Sequence, residues 1–383
     1  MKKIFICMLI LLLSGCVSAE EPKSPPPVEE PSPPVELEEP EDSSLFHEYN
    51  EQAARLLREM TTEEKIGQIF LVRYPEADKL DLYLSMRPGG FIMFGRDFAG
   101  KSKQEVIDNI NYCQINNTVP MVIAVDEEGG TVVRVSSNPL LSDERFKSPQ
   151  ELYEYGGYEE IERDTVKKSE LLSELGINLN LSPVADVSVD ETDFIYERSF
   201  GKDAEETATY VRTVVEAAKK QGVSSSLKHF PGYGNNVDTH TGSATDTRPF
   251  EQFVSSDFIP FKAGIESGAE SVLISHNIVE AIDPELPASL SKNVVGILRY
   301  DMEFTGIVMT DDLSMGAISE LRAELSPEVT AVTAGNDMLI VTDFESSFQT
   351  LLNAVNSGEI LMDRIDESVL RILKWKYYMK LFR

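Results

Sequence analysis

The sequence predicts an α/β fold, a closed (β/α)8 barrel of the TIM type in a single domain. Three observations support this. Eight short apolar runs recur after Leu45, helical patterns separate most of them, and most of the runs end in a charged residue or a histidine. Near-continuous apolar strands alternating with helices imply a parallel sheet covered on both faces, and eight repeats imply closure. An open doubly wound sheet is the rival arrangement for the same alternation.

The runs span residues 66–72, 90–94, 121–126, 177–186, 223–229, 271–276, 306–311 and 338–342. Helical stretches over 104–115, 163–175, 204–221, 258–267 and 348–356 lie between or after them. Pattern alone leaves the direction of the second strand open. The third run ends in Asp126, the fourth in Asp186, the fifth in Lys228-His229, the sixth in His276 and the seventh in Asp311; Asp343 follows the eighth. In a barrel these ends share one mouth, where active sites sit. Of the four histidines, His229, His240 and His276 fall at these ends or in an adjoining loop. Trp375 with Leu373, Tyr377 and Tyr378 reads as a core-facing C-terminal helix, and Cys113 as a small buried hydrophobe.

Composition bounds the function. With 42% hydrophobic and 26% charged residues, the body of the 383-residue chain is globular. A net charge of −30 argues against nucleic acid, which needs a cationic face, and suits solubility. Cys7, Cys16 and Cys113 leave no disulfide framework. No Cys/His spacing suggests zinc, and no metal or cofactor is expected.

Lys2 and Lys3 precede an apolar run over 4–13, then Ser14-Gly15-Cys16. This reads as an export signal over 1–15, too short to span a bilayer as an ordinary helix. The ending Leu13-Ser14-Gly15-Cys16 resembles the bacterial lipoprotein box, which implies cleavage before Cys16 and lipidation of its sulfur. A plain cleaved signal is the alternative. The expected location is the extracytoplasmic face of the cell membrane, held by acyl chains. Residues 17–44 carry eight of the 20 prolines and a net charge of −8, leaving −22 on the rest of the chain. Such a segment buries no core and extends, so 16–44 reads as a linker and 45–383 as one monomeric body.

Two segments carry chemistry. Residues 228–240 leave the fifth strand through Gly232 and Gly234 into a polar loop holding Asp238 and His240. A carboxylate beside an imidazole fixes its tautomer and raises its pKa, giving a proton shuttle near neutral pH. An exposed loop with an incidental histidine is the bland reading. The seventh strand delivers Asp311 and Asp312. Asp311 would point into the mouth, to attack an anomeric carbon or bind a cation, and Asp312 would turn into the loop. Two aspartates capping a following helix are the alternative.

The chain resembles glycoside hydrolase family 3, and within it the single-domain β-N-acetylglucosaminidases. The resemblance rests on Pro88-Gly89-Gly90-Phe91 through Gly95-Arg96, Asp126-Glu127-Glu128-Gly129-Gly130 with Arg134, and Arg198-Ser199-Phe200-Gly201. It continues in the 228–240 loop, Ser275-His276-Asn277 and Thr310-Asp311-Asp312-Leu313. It implies Asp311 as nucleophile, His240 as acid/base oriented by Asp238, and Asp126, Arg134, Arg198, Lys228, His229 and His276 as sugar-binding residues. It further implies retention of configuration and release of terminal β-linked GlcNAc from cell-wall fragments or related glycans. Tyr233 stands where many members have His, Thr131 where many have Arg, and Glu127 where Gln is frequent. Larger members carry a further C-terminal domain that often supplies a Glu as acid/base. The chain ends at Arg383, so the expectation favours His240. A β-glucosidase or β-xylosidase of the same family, and a non-catalytic sugar-binding lipoprotein, are the competing functions.

One motif points elsewhere. Gly95-Arg96-Asp97-Phe98-Ala99-Gly100-Lys101-Ser102 fits the phosphate-cradling pattern G-x-x-x-x-G-K-[ST]. Its place after the second strand rather than a leading one weighs against that reading.

Overall fold

The structure is a computed structural model and describes residues 42–239, 242–319, 321 and 325–382. The export segment, Cys16 and nearly all of the linker lie outside the described residues.

Eight parallel strands form the main sheet: β1 (Phe70–Arg73), β2 (Gly90–Met93), β3 (Val122–Val125), β4 (Leu179–Asn180), β5 (Ser224–Phe230), β7 (Ser271–Ile274), β9 (Ile307–Thr310) and β10 (Leu339–Val341). The order is β10-β1-β2-β3-β4-β5-β7-β9. A parallel bridge between Met309 and Met338 brings the last strand beside the first, which makes the sheet a barrel. β6 (Thr245–Asp246) and β8 (Ile278–Val279) form a separate parallel pair over the strand ends. β2 runs parallel to both neighbours.

Two predicted boundaries move. Ile66–Gln68 is the end of a helix, Thr62–Gln68, rather than the start of the first strand. Thr61 and Glu64 explain it: each accepts from the other's backbone N–H, at 3.2 and 3.0 Å, in a capping box that starts a helix. β4 shrinks to two residues because Pro183, lacking an N–H, cannot continue the ladder; pairing resumes at Val184 with Lys228. The helix predicted from 163 begins at Pro149 behind a Ser148–Glu151 capping box, and it kinks at Gly156 and Gly157.

The side-chain alternation of the strands sorts the core. Leu71, Ile92, Val122, Ala124, Leu179, Leu273, Ile307, Met309 and Ile340 form one cluster, the barrel interior. Their strand neighbours Phe70, Val72, Phe91, Ile123, Val125 and Leu339 belong to a second cluster, against the outer helices. Trp375 and Ile372, from the helix Met362–Tyr378, join Phe46 in closing the interior. The Trp375 indole is fully buried and donates to Ser224 Oγ at 3.2 Å, which assigns it to packing. Cys113 is buried as expected.

Candidate active site

A strand side-chain period of two dictates what lies above the interior layer. Two residues beyond Leu71 is Arg73; beyond Ile92, Phe94; beyond Ala124, Asp126; beyond Met309, Asp311. All four line one cavity of about 420 Å³ at the C-terminal mouth, together with Glu128, Arg134, Arg198, Lys228, His229 and Asp312. Six of the residues singled out in the sequence therefore meet there: Asp126, Arg134, Arg198, Lys228, His229 and Asp311.

A buried charge network forms one wall. Lys228 Nζ lies 2.6 Å from Asp126 Oδ1 and 2.6 Å from Glu128 Oε1. Arg198 grips the Glu128 carboxylate with two nitrogens, at 2.8 and 3.1 Å. Burial opposes ionisation of Glu128, but the charges of Arg198 and Lys228 hold its carboxyl well below the usual glutamate range. Lys228 and Arg198 are likewise held charged: burial works against them, and the surrounding carboxylates prevail.

Arg198 also donates to His229 Nε2 at 3.2 Å. A guanidinium has only donors, so Nε2 is unprotonated and Nδ1 carries the proton, which it gives to Asp186 Oδ2 at 2.7 Å. The same Asp186 carboxylate accepts from the backbone N–H of His229 and of Tyr233. Asp186, predicted only as a strand end, thus anchors the start of the 228–240 loop. Glu127 does the same for Arg134: its buried carboxylate accepts from the N–H groups of Arg134, Val135 and Ser136, at 2.7, 2.7 and 3.1 Å.

The loop is braced from outside by Arg248. Its guanidinium contacts Asp246 at 2.7 Å and Asp257 at 3.0 Å and donates to Gly232 O at 3.3 Å. Asn236 ties the loop to the same Asp246, at 2.8 Å. Space here is tight. Gly232 has φ +123°, and a Cβ on it would stand 2.3 Å from Asp257 Oδ1. The Tyr233 hydroxyl bonds to Thr239 Oγ1, its ring is buried edge-on to His229, and burial raises its pKa. Asp238 is half-buried on the loop and is not among the cavity-lining residues, while His240 lies outside the described residues. The loop reaches Thr239, whose carbonyl accepts from Ala317 N at 3.4 Å, next to the cavity-lining Gly316.

Asp311 Oδ1 accepts from the N–H of Asp312 at 2.8 Å. Asp312 lines the cavity as well, but its carboxylate is engaged by the loop, accepting from Thr342 Oγ1 and Ser314 N, both at 2.9 Å. Its carbonyl accepts from His276 Nε2 at 3.0 Å, so His276 Nδ1 accepts from Ser289 Oγ at 2.7 Å. His276, expected to bind sugar, is fully buried and is not among the cavity-lining residues. The reason is register: Leu273 faces the interior, so His276, three residues on, faces outward and supports the Asp311–Asp312 turn from behind. Asp343 caps the helix Phe344–Ser357. Missed in the sequence were Glu128, Asp186 as an anchor, Arg248 and Arg73.

The phosphate-cradle motif does not form one. Gly95–Phe98 is a single helical turn, and Lys101 Nζ donates to Asp97 O at 2.7 Å. Ser102 caps the helix Lys103–Ile115.

Comparison with known proteins bears on this site. The sequence profile described as Glycosyl hydrolase family 3 N terminal domain matches residues 61–375. A β-hexosaminidase of Xanthomonas oryzae pv. oryzae is 31% identical over 263 residues, covering 66% of this chain and 75% of that protein. The β-hexosaminidase LpqI of Mycobacterium tuberculosis is 29% identical over 333 residues, 83% of each chain. Among solved structures, a family 3 β-N-acetylglucosaminidase from Paenibacillus sp. superposes with a TM-score of 0.79 at 30% identity. That match covers 84% of this chain and spans 63% of the length of the Paenibacillus protein.

Proposed function

The chain belongs to glycoside hydrolase family 3 and is a glycoside hydrolase, and from that premise we propose that it is a retaining, exo-acting β-N-acetylglucosaminidase. Terminal β-linked GlcNAc on cell-wall fragments or related glycans is the substrate of this reading. The observation that carries it is Asp311, just past the end of β9 and lining the same cavity as the Asp126–Lys228–Glu128–Arg198 network.

In this reading the Asp311 carboxylate attacks the anomeric carbon while the imidazolium of His240 gives its proton to the leaving oxygen. The glycosidic bond breaks and a glycosyl ester forms. Water then attacks the same carbon, neutral His240 takes its proton, and Asp311 leaves as carboxylate. Two inversions give retention. The buried cations and carboxylates around Lys228 are oriented in advance to hold the sugar hydroxyls, so binding energy serves positioning. Asp238 orients His240. The approach of Thr239 to Ala317 beside the cavity supports a proton donor at the next position. The reading also keeps Cys16 as a lipidated anchor at the extracytoplasmic face and a monomeric body. Among the described residues no helix is long and apolar enough to cross a membrane.

Rates on aryl β-GlcNAc and aryl β-glucoside, measured side by side, test it. Faster GlcNAc release, abolished in Asp311→Asn with retained fold, is expected. Equal activity of wild type and Asp311→Asn defeats the reading, and faster glucoside cleavage moves it to a β-glucosidase. Tight GlcNAc binding without turnover marks a sugar-binding protein.

A further inference from the structure

We propose that the hydroxyls of Tyr233 and Thr239 act as a positioning pair for the proton donor, fixing the point at which the 228–240 loop returns to the body of the barrel. The proposal rests on the acid/base reading of His240 and deepens it, because it says what holds the donor's neighbour in place.

The loop leaves and re-enters the body between these two residues. Tyr233 is the fixed end. Its N–H donates to Asp186 Oδ1 at 2.8 Å. Its ring packs with Val184 and Ile195 and stands edge-on to His229, 5.1 Å between centroids. Its carbonyl accepts from Asn236 N at 3.1 Å and from Asn236 Nδ2 at 2.9 Å, which closes a turn. Val237, just past that turn, is 65% exposed. Two residues later Thr239 is fully buried again. There its Oγ1 meets the Tyr233 hydroxyl at 2.5 Å, across six residues of sequence. A longer bond, 3.4 Å, runs from Ala317 N to the Thr239 carbonyl.

A hydroxyl pair here does more than fill space. Replacing both partners of a buried hydrogen bond by apolar groups of the same shape is nearly neutral for stability, so Phe and Val would serve packing as well. What the bond adds is direction, since it admits a short separation and a narrow range of angles. Consecutive Cα atoms lie about 3.8 Å apart, so whatever displaces Thr239 displaces the next residue with it. The phenol stays a neutral partner across the neutral pH range, because burial and then the charge of Asp311 raise its pKa. The same side chain thus lies within the field of the nucleophile.

The test measures kcat/KM of the full chain on a series of aryl β-GlcNAc substrates, from 2,4-dinitrophenyl through 4-nitrophenyl to phenyl. If wild type cleaves glucosides faster, the series is made on glucose. A good leaving group departs without a proton and a poor one needs it, so the slope of rate against leaving-group basicity reports the donor. His240→Ala sets the scale, since general acid catalysis contributes about 100-fold or more. Tyr233→Phe and Thr239→Val are each expected to lower kcat/KM on the phenyl glycoside by about tenfold or more, because about 1 Å of misplacement can cost 100-fold. The loss on the dinitrophenyl glycoside should be smaller. Thr239→Ser keeps the hydroxyl and should keep the wild-type slope. The double variant of Tyr233→Phe and Thr239→Val should lose no more than the worse single one, as residues sharing one bond are not additive. A loss uniform across leaving groups, or two losses that add, overturns the proposal and leaves the pair as packing. A steeper slope in His240→Ala beside an unchanged one in Tyr233→Phe overturns it too, with the acid/base reading intact. An unchanged slope in His240→Ala defeats that reading first, and the proposal with it. If Thr239→Val does not fold, Tyr233→Phe and Thr239→Ser decide.

Discussion

Lys228 Nζ lies 2.6 Å from Glu128 Oε1, with side chains only 2% and 4% exposed. Two charges so buried stand only because each satisfies the other and because Asp126 and Arg198 complete the network. Removing one partner leaves an uncompensated buried charge, which costs about 3–5 kcal/mol. Glu128→Gln is therefore expected to lower stability by that order in urea denaturation and to reduce kcat/KM by roughly 100-fold, as Lys228 and Arg198 lose their orientation. Glu128 has a depressed folded pKa. Its contribution is present above its ordinary value of 4.5 and is lost only as pH falls well below it, so the wild-type advantage should persist at pH 5. A variant as stable and active as wild type would show that the network is dispensable.

Arg248 never lines the cavity, yet it clamps Asp246, Asp257 and Gly232 O around the loop that leads to Asp238. Arg248→Lys keeps the charge and loses the planar fork. Its expected effect is a fall in kcat of about tenfold or more with a smaller change in KM, since misplacing the loop that leads to the proposed acid/base by about 1 Å can cost 100-fold. Arg248→Met should fall further. A drop in melting temperature with kcat unchanged would mark the clamp as structural only.

Lys101 is committed to the Asp97 carbonyl, and Asn138 occupies the same turn, donating to Phe98 O and Lys101 O at 2.7 and 2.8 Å. Lys101→Ala should therefore leave glycosidase kinetics unchanged, and neither protein should bind a fluorescent ATP analogue. Binding by wild type that the substitution removes would reinstate the phosphate cradle.

Strand number, order of helices and most of the mouth were legible because each rests on a repeated pattern. Short, near-continuous apolar runs marked the strands, and polar residues at strand ends marked the site. What escaped depended on register or on distant partners. The first run, begun at Ile66, placed its end at Val72 and passed over Arg73, although Thr61 and Glu64 signal the helix that displaces it. His276 looked equivalent to Asp311 until Leu273 fixed which face of β7 points inward. Glu128 sits in a run of acids whose members are chemically alike. Only the fold shows that Glu127 turns to backbone N–H groups and Glu128 to Arg198 and Lys228.

The N-terminal end of the barrel offers a last prediction, independent of the active site. Lys376 is fully buried and donates to Gln68 Oε1 at 2.6 Å, with no acidic partner among the described residues. Burial pushes its ammonium down to about 7 from 10.5. Below pH 7 both folded and unfolded chains carry the proton, so the full cost of the buried charge opposes folding. Between about pH 7 and 10.5 the unfolded chain holds a proton that the folded one has released, and stability rises with pH by up to about 1.4 kcal/mol per unit. Lys376→Met removes the titration. It also removes the donor to Gln68, a pH-independent loss of about 1 kcal/mol. The slope, not the offset, is therefore diagnostic: in urea denaturation from pH 6 to 9, the variant's stability relative to wild type should be highest at pH 6 and decline above pH 7. A difference that stays constant across that range would mean that the buried lysine does not titrate within the fold.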